Sequence, residues 1–204
     1  MWFLGLDDTD VEGAPGTNRL ARSIAAELPE GAALWGITRH QLLRHPAVPM
    51  TSKNSAAAFL FPDEARPMAH EIMECVRERV RRDAPSGSDP ALCLALQVNG
   101  EVVDFGRRAK REVLTPAAAA ALAREEGLEL ETVAGRDHGL VGALAAVGLA
   151  ATGDDGRFVQ LGSWPDDLHG VRSAEVLRRR GVSTFLHDDG SGEVEPDRVD
   201  VGKK

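Results

Sequence analysis

The chain has few cysteines, no long apolar run and no excess of positive charge. Its 204 residues include two cysteines, Cys75 and Cys93, which lack the spacing of metal ligands, so neither a disulfide framework nor a zinc site is expected. No apolar run approaches the roughly 18 residues that span a bilayer. The N-terminus also lacks the basic segment of a secretory signal. These absences favour a cytoplasmic protein with reduced cysteines in its core.

The charge balance restricts the class of partner. The formal net charge is -8, whereas nonspecific binding to nucleic acid requires a basic surface that displaces counterions from phosphates. We therefore expect weak or no direct binding to nucleic acid and no binding to membranes. Two basic runs, at 77–83 and 106–112, are either solvated helix faces or local binding patches. The sequence contains no GxxxxGK[ST] motif, which excludes a Walker-type phosphate loop.

Apolar patterns predict a mixed α/β (α+β) fold in which helices pack on a sheet, with the strand order left open. The predicted strands are 2–6, 32–39, 56–61, 91–98, 128–133, 157–162 and 182–187. The first two predicted helices are 17–28, with Thr17 or Asn18 as N-cap, and 64–82. A basic helical segment follows through Val113 and Leu114, and an alanine-rich helix begins after Thr115-Pro116. The last two are a helix of small residues after the glycine-containing loop at 135–139, and 173–181.

The same patterns suggest how the chain is divided. We expect a nucleotide-binding domain over residues 1–162, an extension packed on it over 163–190, and a mobile polar tail over 191–204.

The most distinctive motif is the acidic run GLDDTDVEG at residues 5–13. Asp7, Asp8 and Asp10 directly follow an apolar strand and precede the helix that begins near Thr17. Carboxylates this close repel one another unless a cation or water compensates. Carboxylate oxygens are the ligands that Mg²⁺ prefers, together with substrate phosphates. The motif is therefore interpreted either as a site for a magnesium nucleotide or as an Asx-type turn with solvated carboxylates.

Two further segments carry candidate site residues. Ser52, Lys53 and Asn54 lie in a loop that leads into a strand, and their side chains are those of a phosphate contact or of an ordinary polar loop.

A glycine-containing segment before the last long helix is the third candidate. It contains Arg136, His138, Gly139 and Gly142. The segment is either an anion-binding nest with an arginine clamp or a loop that allows close helix packing.

Taken in order, these segments resemble the kinase-like domain of the archaeal tRNA agmatidine synthetase family. GLDDTD at 5–10 is similar to the family's G-[IL]-D-D-T-D motif, HPAVPMTSKNS at 45–55 to its N-P-x-[IV]-P-x-K-T-R-G-N-G loop, and GLVGALAAVG at 139–148 to its G-L-I-G-A-L-A-A-V-G segment. The resemblance covers roughly residues 2–162 and implies the fold of that domain.

The resemblance also implies an ATP- and Mg²⁺-dependent enzyme. In that family ATP activates a tRNA cytidine by phosphorylation and agmatine then displaces the phosphate. By position, Asp7, Asp8 and Asp10 would hold metal and phosphates, Thr17 matches the threonine near the phosphates, and Thr9 belongs to the same motif. Lys53 and Asn54 fall on the Arg and Asn of the family's loop, and Gly139 and Gly142 fall on glycines of its glycine segment. Asn18 replaces the family's second threonine, and His138 replaces an arginine of the glycine segment.

The family continues into OB-fold and zinc-ribbon modules that grip tRNA, and this sequence is expected to be a short form without them. The expected function is that of a phosphotransferase or ligase-type enzyme that acts on a small acceptor or on RNA delivered by a partner, and a homodimer is a possible assembly.

Two alternatives remain. LDDTD is similar to the motif of haloacid dehalogenase-type phosphatases, which would make Asp8 a nucleophile and Asp10 a general acid, although Glu12 departs from that pattern. The other alternative is a noncatalytic protein that binds or senses nucleotide.

Overall fold

The computed structural model of the chain describes residues 1–51, 53–161, 170–179, 185 and 192–200. The chain divides into two compact units, Met1–Gly162 and Ser163–Lys204. The first unit contains strands β1 (Trp2–Asp7), β2 (Gly36–Gln41), β3 (Ser55–Phe61), β4 (Ala91–Ala95), β5 (Glu129–Thr132) and β6 (Arg157–Leu161). Its helices are α1 (Thr17–Ala25), α2 (Ala69–Asp83), α3 (Gly100–Ala109), α4 (Pro116–Glu125) and α5 (Leu140–Thr152), with short 3₁₀ helices at Asp63–Met68 and Asp137–Gly139.

The strands of the first unit form one sheet in the order β5-β4-β1-β3-β2-β6. Every neighbouring pair is antiparallel. The predicted mixed α+β fold with helices on a sheet is therefore confirmed. The strand order, which the sequence left open, places β1 at an interior position between β3 and β4.

Side chains alternate between the two faces of the sheet and form a core on each face. Trp2, Leu4 and Leu6 of β1 pack with α1 and α2, whereas Phe3 packs with α3, α4 and α5. Both faces are covered, which explains why β1, β3 and β4 are continuous apolar runs rather than alternating ones. The sheet is held as a layer between two sets of helices.

Helix α5 lies unusually close to the sheet because its sequence is made of small residues. Gly5 has no side chain where α5 crosses β1, and a Cβ there would collide with the carbonyl oxygen of Ala143. Gly148 plays the same part against the backbone of Val102 in α3. The small-residue run is therefore explained by packing, and it brings the amino end of α5 to the end of β1.

Several boundaries differ from the sequence prediction. Helix α1 ends at Ala25, and its N-cap is Gly16 rather than Thr17 or Asn18, so that prediction is wrong. Strand β2 begins at Gly36, after Trp35. Helix α3 ends at Ala109, before Val113 and Leu114. Because Pro116 disfavours helical geometry at Thr115 and begins α4, the chain must leave the helix before that point.

The second unit contains a two-stranded antiparallel sheet. Strand β7 (Val171–Ser173) pairs with β8 (Arg198–Asp200), and α6 (Ala174–Arg179) follows β7. The expected tail therefore includes a strand, in which Val199 pairs with Arg172. The strand predicted at 182–187 lies outside the described residues except for Phe185.

The two cysteines lie in different elements of the first unit. Cys93 is buried in β4 and Cys75 is partly buried in α2, and both are free thiols. Among the described residues, no helix has the length and apolar character to cross a membrane.

Candidate functional site

All the segments of the candidate site meet at one end of the sheet. In an antiparallel sheet the carboxyl end of each strand lies beside the amino end of its neighbour. The carboxyl end of β1 therefore lies beside the segments that precede β3 and β4. A cavity of about 470 Å³ opens at this end. It is the natural place to look for a ligand, because pockets of roughly 300–1,000 Å³ are typical of small-molecule sites.

Asp7 is the last residue of β1 and the first carboxylate of the acidic motif. Its carboxyl group packs against α5 at Gly142, where an added Cβ would overlap the carboxylate. Burial, followed by the charge of Asp8, raises the pKa of Asp7 to about 8. An uncompensated negative charge is therefore unfavourable here, and a bound cation would relieve it.

Asp8 turns the chain away from the sheet. Its backbone has a φ of 54°, in the left-handed region that non-glycine residues seldom adopt. Burial, followed by the charge of Asp89, raises the pKa of Asp8 to about 6. Asp8 lines the cavity, as Asp7 and Asp10 do.

Thr9 and Asp10 complete the turn. Thr9 is 1% exposed, and its hydroxyl has no hydrogen-bond partner among the described residues. Asp10 lines the cavity and accepts a hydrogen bond of 3.2 Å from the hydroxyl of Thr51. Burial raises the pKa of Asp10, although this hydrogen bond opposes the shift. The turn thus connects the acidic motif to the loop before β3.

Helix α1 begins at the cavity. Gly16, Thr17 and Asn18 all line it. The Arg19 N–H donates to the Gly16 carbonyl oxygen over 2.9 Å. Because Gly16 supplies no side-chain cap, the amide groups of Thr17 and Asn18 are the ones placed to bind an anion. The Asn18 Oδ1 atom is buried and has no hydrogen-bond partner among the described residues. This atom is an unsatisfied hydrogen-bond acceptor at the N-terminus of α1.

The loop before β3 contributes Lys53 and Asn54 to the cavity lining. The Asn54 side chain donates a hydrogen bond of 2.6 Å to the carbonyl oxygen of Leu43, so it also fixes the chain that follows β2. Lys53 is exposed and supplies a positive charge. Ser52, the other candidate in this loop, lies outside the described residues.

Only some residues of the glycine segment line the cavity. His138 and Gly142 line the cavity. Gly139 is buried beneath Asp89 and Ala91, where it serves close packing. Arg136 is exposed, and its backbone N–H rather than its side chain contacts the site, by donating to Asp89 Oδ1 over 2.7 Å.

Asp89 is the residue that sequence reasoning missed. It lies two residues before β4, and its Oδ2 pairs with His138 Nδ1 over 2.7 Å. Within the described parts of the chain, the one group of three side chains placed to hold a metal ion comprises Asp8, Asp89 and His138. The antiparallel pairing of β4 with β1 places Asp89 beside the acidic motif. That pairing was the missing signal, because the sequence left the strand order open.

Part of the cavity lining is apolar. Leu42, Val48 and Met50 come from the chain after β2, Val113 and Leu114 from the connection between α3 and α4, and Val141 from α5. Glu112, in the connection between α3 and α4, also lines the cavity. Arg39 also lines the cavity, and its guanidinium group donates hydrogen bonds to Ser55 and Gln41. The cavity lining therefore combines acidic, polar and aliphatic side chains.

No protein-family model matches the chain. No curated protein matches it either.

Solved structures do match the chain. It is similar to a complex of TiaS with tRNA and ATP, with 24% identity and a TM-score of 0.56 over 72% of this chain and 36% of that chain. It is similar to a tRNA fluorescent labeling enzyme, with 23% identity and a TM-score of 0.59 over 72% of this chain and 35% of that one.

A third match is a complex of TiaS with tRNA, AMPCPP and agmatine, with 22% identity, a TM-score of 0.57 and coverage of 72% of this chain and 35% of that chain. TiaS is a tRNA agmatidine synthetase. The chain thus spans 36% or less of the length of these three structures. Within that span, it has the fold of a TiaS-like domain.

Proposed function

We propose that the chain is an ATP- and Mg²⁺-dependent phosphotransferase or ligase-type enzyme related to tRNA agmatidine synthetase. One observation carries the proposal: a single cavity of about 470 Å³ joins the three aspartates, the start of α1, Lys53 and aliphatic side chains. The solved structures support it, because two of the TiaS structures with this fold contain ATP or AMPCPP.

The residues present fit a magnesium ion. Asp7, Asp8 and Asp10 offer only carboxylate oxygens, which are the donors that Mg²⁺ selects. The raised pKa of Asp7, to about 8, reflects burial and neighbouring negative charge that a divalent cation would offset. Asp8, with Asp7 or Asp10 and with phosphate oxygens of the nucleotide, would hold the ion. When bound, Mg²⁺ would neutralise charge on the phosphates of the nucleotide.

The other lining residues fit the rest of a nucleotide. The first turn of α1, at Thr17 and Asn18, presents amide groups and the positive end of a helix dipole to the phosphates. Lys53 adds a point charge at the same end. The aliphatic part of the lining suits the flat faces of a nucleobase. During phosphoryl transfer these groups would position the phosphates and stabilise charge that develops on the transferred group.

The acceptor is a small molecule or an RNA delivered by a partner protein. In the basic run at 77–83, Arg77 pairs with Glu74 and Glu131, and Arg79 pairs with Glu27 and Asp83. Because these arginines are paired with carboxylates and the net charge is -8, we expect direct binding to nucleic acid to be weak. We place the enzyme in the cytoplasm.

A noncatalytic nucleotide-binding protein is the second candidate. The observation that favours it is the small number of cations at the cavity: apart from His138, the described lining residues include only Arg39 and Lys53 as basic groups. Arg39 is already bonded to Ser55 and Gln41. Phosphoryl transfer usually requires several cationic groups to stabilise the transition state.

The test is product analysis with wild-type protein and Asp8→Asn. Incubation with ATP, Mg²⁺ and an extract of metabolites and tRNA, followed by mass spectrometry, should yield ADP or AMP and a modified acceptor. The substitution should reduce turnover by about 100-fold or more, since it removes a charge that orients the metal. Asp104→Asn, an exposed change in α3, is the matched control and should retain full activity.

The alternatives give different products. Nucleotide binding without turnover of any acceptor would identify the noncatalytic protein. A phosphoenzyme at Asp8 that forms without ATP would identify the dehalogenase-type phosphatase. Full activity of the Asp8→Asn variant would contradict the proposal.

A further inference from the structure

An imidazole and two carboxylates converge beside the acidic motif from three separate segments. Asp8 follows β1, Asp89 precedes β4, and His138 precedes α5. One ligand atom from each of the three side chains lies within 4.8 Å of the other two. His138 Nδ1 and Asp89 Oδ2 are 2.7 Å apart. This is a hydrogen-bonding distance, and an ion that replaced the shared proton would hold the two atoms at the edge of an octahedron with metal–ligand bonds of about 2.1 Å, which is about 3 Å.

The surroundings of Asp89 hold it in a fixed orientation. Its Oδ1 accepts a hydrogen bond of 2.7 Å from the backbone N–H of Arg136. Gly135, with a φ of 72°, allows the loop to close over this carboxylate, because a Cβ at that position would collide with Asp89 Oδ1. The Asp89 side chain is 14% exposed. One carboxylate oxygen is thus anchored by the backbone and the other faces His138, the arrangement of an oriented metal ligand.

The site is open on one side. Asp8 and His138 both line the 470 Å³ cavity, and the His138 side chain is 33% exposed. An ion held by three protein ligands would therefore keep free coordination positions toward the cavity. Those positions would accept water or an oxygen atom of an anionic ligand such as a phosphate group.

We propose that Asp8, Asp89 and His138 form a site for a divalent transition-metal ion of the Mn²⁺ type, distinct in its ligands from the magnesium site formed by aspartates alone. Two carboxylates balance the charge of a divalent ion. The imidazole nitrogen determines which metal the site prefers, since nitrogen donors favour first-row transition metals over Mg²⁺. The carboxylates suit Mn²⁺ in particular. Asp8 is shared by the two sites, whereas Asp89 and His138 belong to this one alone.

The experiment uses Mn²⁺ alone, without nucleotide, and the full chain. Free Mn²⁺ is measured by electron paramagnetic resonance while the protein is titrated, and Mg²⁺ is then added as competitor. Wild type should bind one Mn²⁺ per chain and prefer it to Mg²⁺. Asp89→Asn and His138→Gln should each weaken Mn²⁺ binding by about 10–100-fold. Asp104→Asn and His70→Gln make the same chemical changes at exposed side chains and should bind as wild type does.

A second measurement keeps the proposal testable if a variant misfolds. Electron spin echo measurements on Mn²⁺ bound to wild type should show coupling to a nitrogen nucleus of the imidazole. Binding that is unchanged in His138→Gln, or bound Mn²⁺ without nitrogen coupling, would overturn the site. Because no nucleotide is present, these results are independent of the proposed function: Mn²⁺ binding with no affinity for ATP would refute that function and leave this site in place.

Discussion

Two clusters of ionisable side chains lie against the same sheet and differ in how their charge is balanced. The acidic motif, Asp7, Asp8 and Asp10, lies at the end of β1. The second cluster, which we call the His40 network, comprises Thr38, His40, Lys110 and Asp155. In the acidic motif burial raises the pKa of every carboxyl group. In the His40 network burial also opposes the ionisation of Asp155, but hydrogen bonds from Lys110 and His40 outweigh it, and the pKa of Asp155 is lowered.

The His40 network satisfies its members internally. His40 is fully buried, and its Nδ1 donates to Asp155 Oδ1 over 2.9 Å. Its Nε2 then accepts from the Thr38 hydroxyl over 2.8 Å, as expected of a neutral imidazole. Lys110 pairs with the other oxygen of Asp155. The network therefore joins β2, the end of α3 and the loop after α5 without any ligand.

The contrast separates charged groups that stabilise the fold from charged groups that are placed to bind a ligand. A buried polar cluster whose partners are all internal stabilises the fold. A buried cluster of one sign, next to a cavity and with unsatisfied groups nearby, is stabilised only when something from outside binds. Each of the following predictions changes one cluster and compares the result with the other.

The largest effect is expected from Gly142→Ala. The added methyl group would overlap the Asp7 carboxylate, which is held between α5 and β1. We expect a loss of about 2–4 kcal/mol in the free energy of unfolding and loss of Mg²⁺-nucleotide binding. Chemical denaturation and calorimetry measure the two effects.

Gly100→Ala is the matched control. Gly100 begins α3 and has open space where its Cβ would lie, so the change should leave both stability and binding close to wild type. Equal behaviour of the two variants would contradict the close packing of α5 on Asp7.

The next prediction concerns Asp7→Asn without metal. Because the pKa of Asp7 is about 8 in the folded chain and 3.8 ordinarily, the folded state retains a proton that the unfolded state releases between these values. Stability from this group therefore falls as the pH rises through that interval. At pH 8 Asp7→Asn should be more stable than wild type by about 1–3 kcal/mol, and near pH 4 the two should be equal.

The His40 network should have the opposite pH dependence. The pKa of His40 is lowered by burial, so the unfolded chain takes up a proton near the ordinary value of 6.5 that the folded chain does not. Its contribution to stability therefore grows as the pH rises through 6.5.

Denaturation of Asp7→Asn and wild type across this pH range separates the contribution of Asp7 from that of His40. If the difference in stability between Asp7→Asn and wild type does not change with pH, the raised pKa of Asp7 is contradicted.

The smallest effect is expected from Asp155→Asn. The change removes the charge that Lys110 and His40 contact and should cost about 1–2 kcal/mol of stability without altering nucleotide affinity. The neighbouring exposed Asp154 provides the control, since Asp154→Asn should change neither quantity. A loss of nucleotide binding in Asp155→Asn would show that the two clusters are coupled.

Much of the fold was predictable because its strands are buried on both faces. Continuous apolar runs predicted β1, β3 and β4, and the helical periodicity of Ile72, Val76 and Val80 predicted α2. Strand order was not predictable, since it depends on contacts distant in sequence. Helix ends were also missed, because Gly16 rather than a side-chain cap begins α1 and because α3 ends at Ala109, before the apolar residues Val113 and Leu114.

The candidate site was predictable where chemistry and chain position coincide. Asp8, Thr17 and Lys53 stood out as polar residues next to predicted elements, and all three line the cavity. Asp89 did not stand out, because a single aspartate before a strand is common. It becomes significant only when antiparallel pairing places it beside His138.

Calorimetric titration of Mg²⁺ with a nonhydrolysable ATP analogue into wild type and Asp8→Asn tests the central claim most directly. The account predicts saturable binding of one nucleotide to wild type, dependent on Mg²⁺, and at least about tenfold weaker binding to the variant. Absence of binding to wild type, or equal binding to both proteins, would contradict the claim that the acidic end of this sheet holds a magnesium nucleotide.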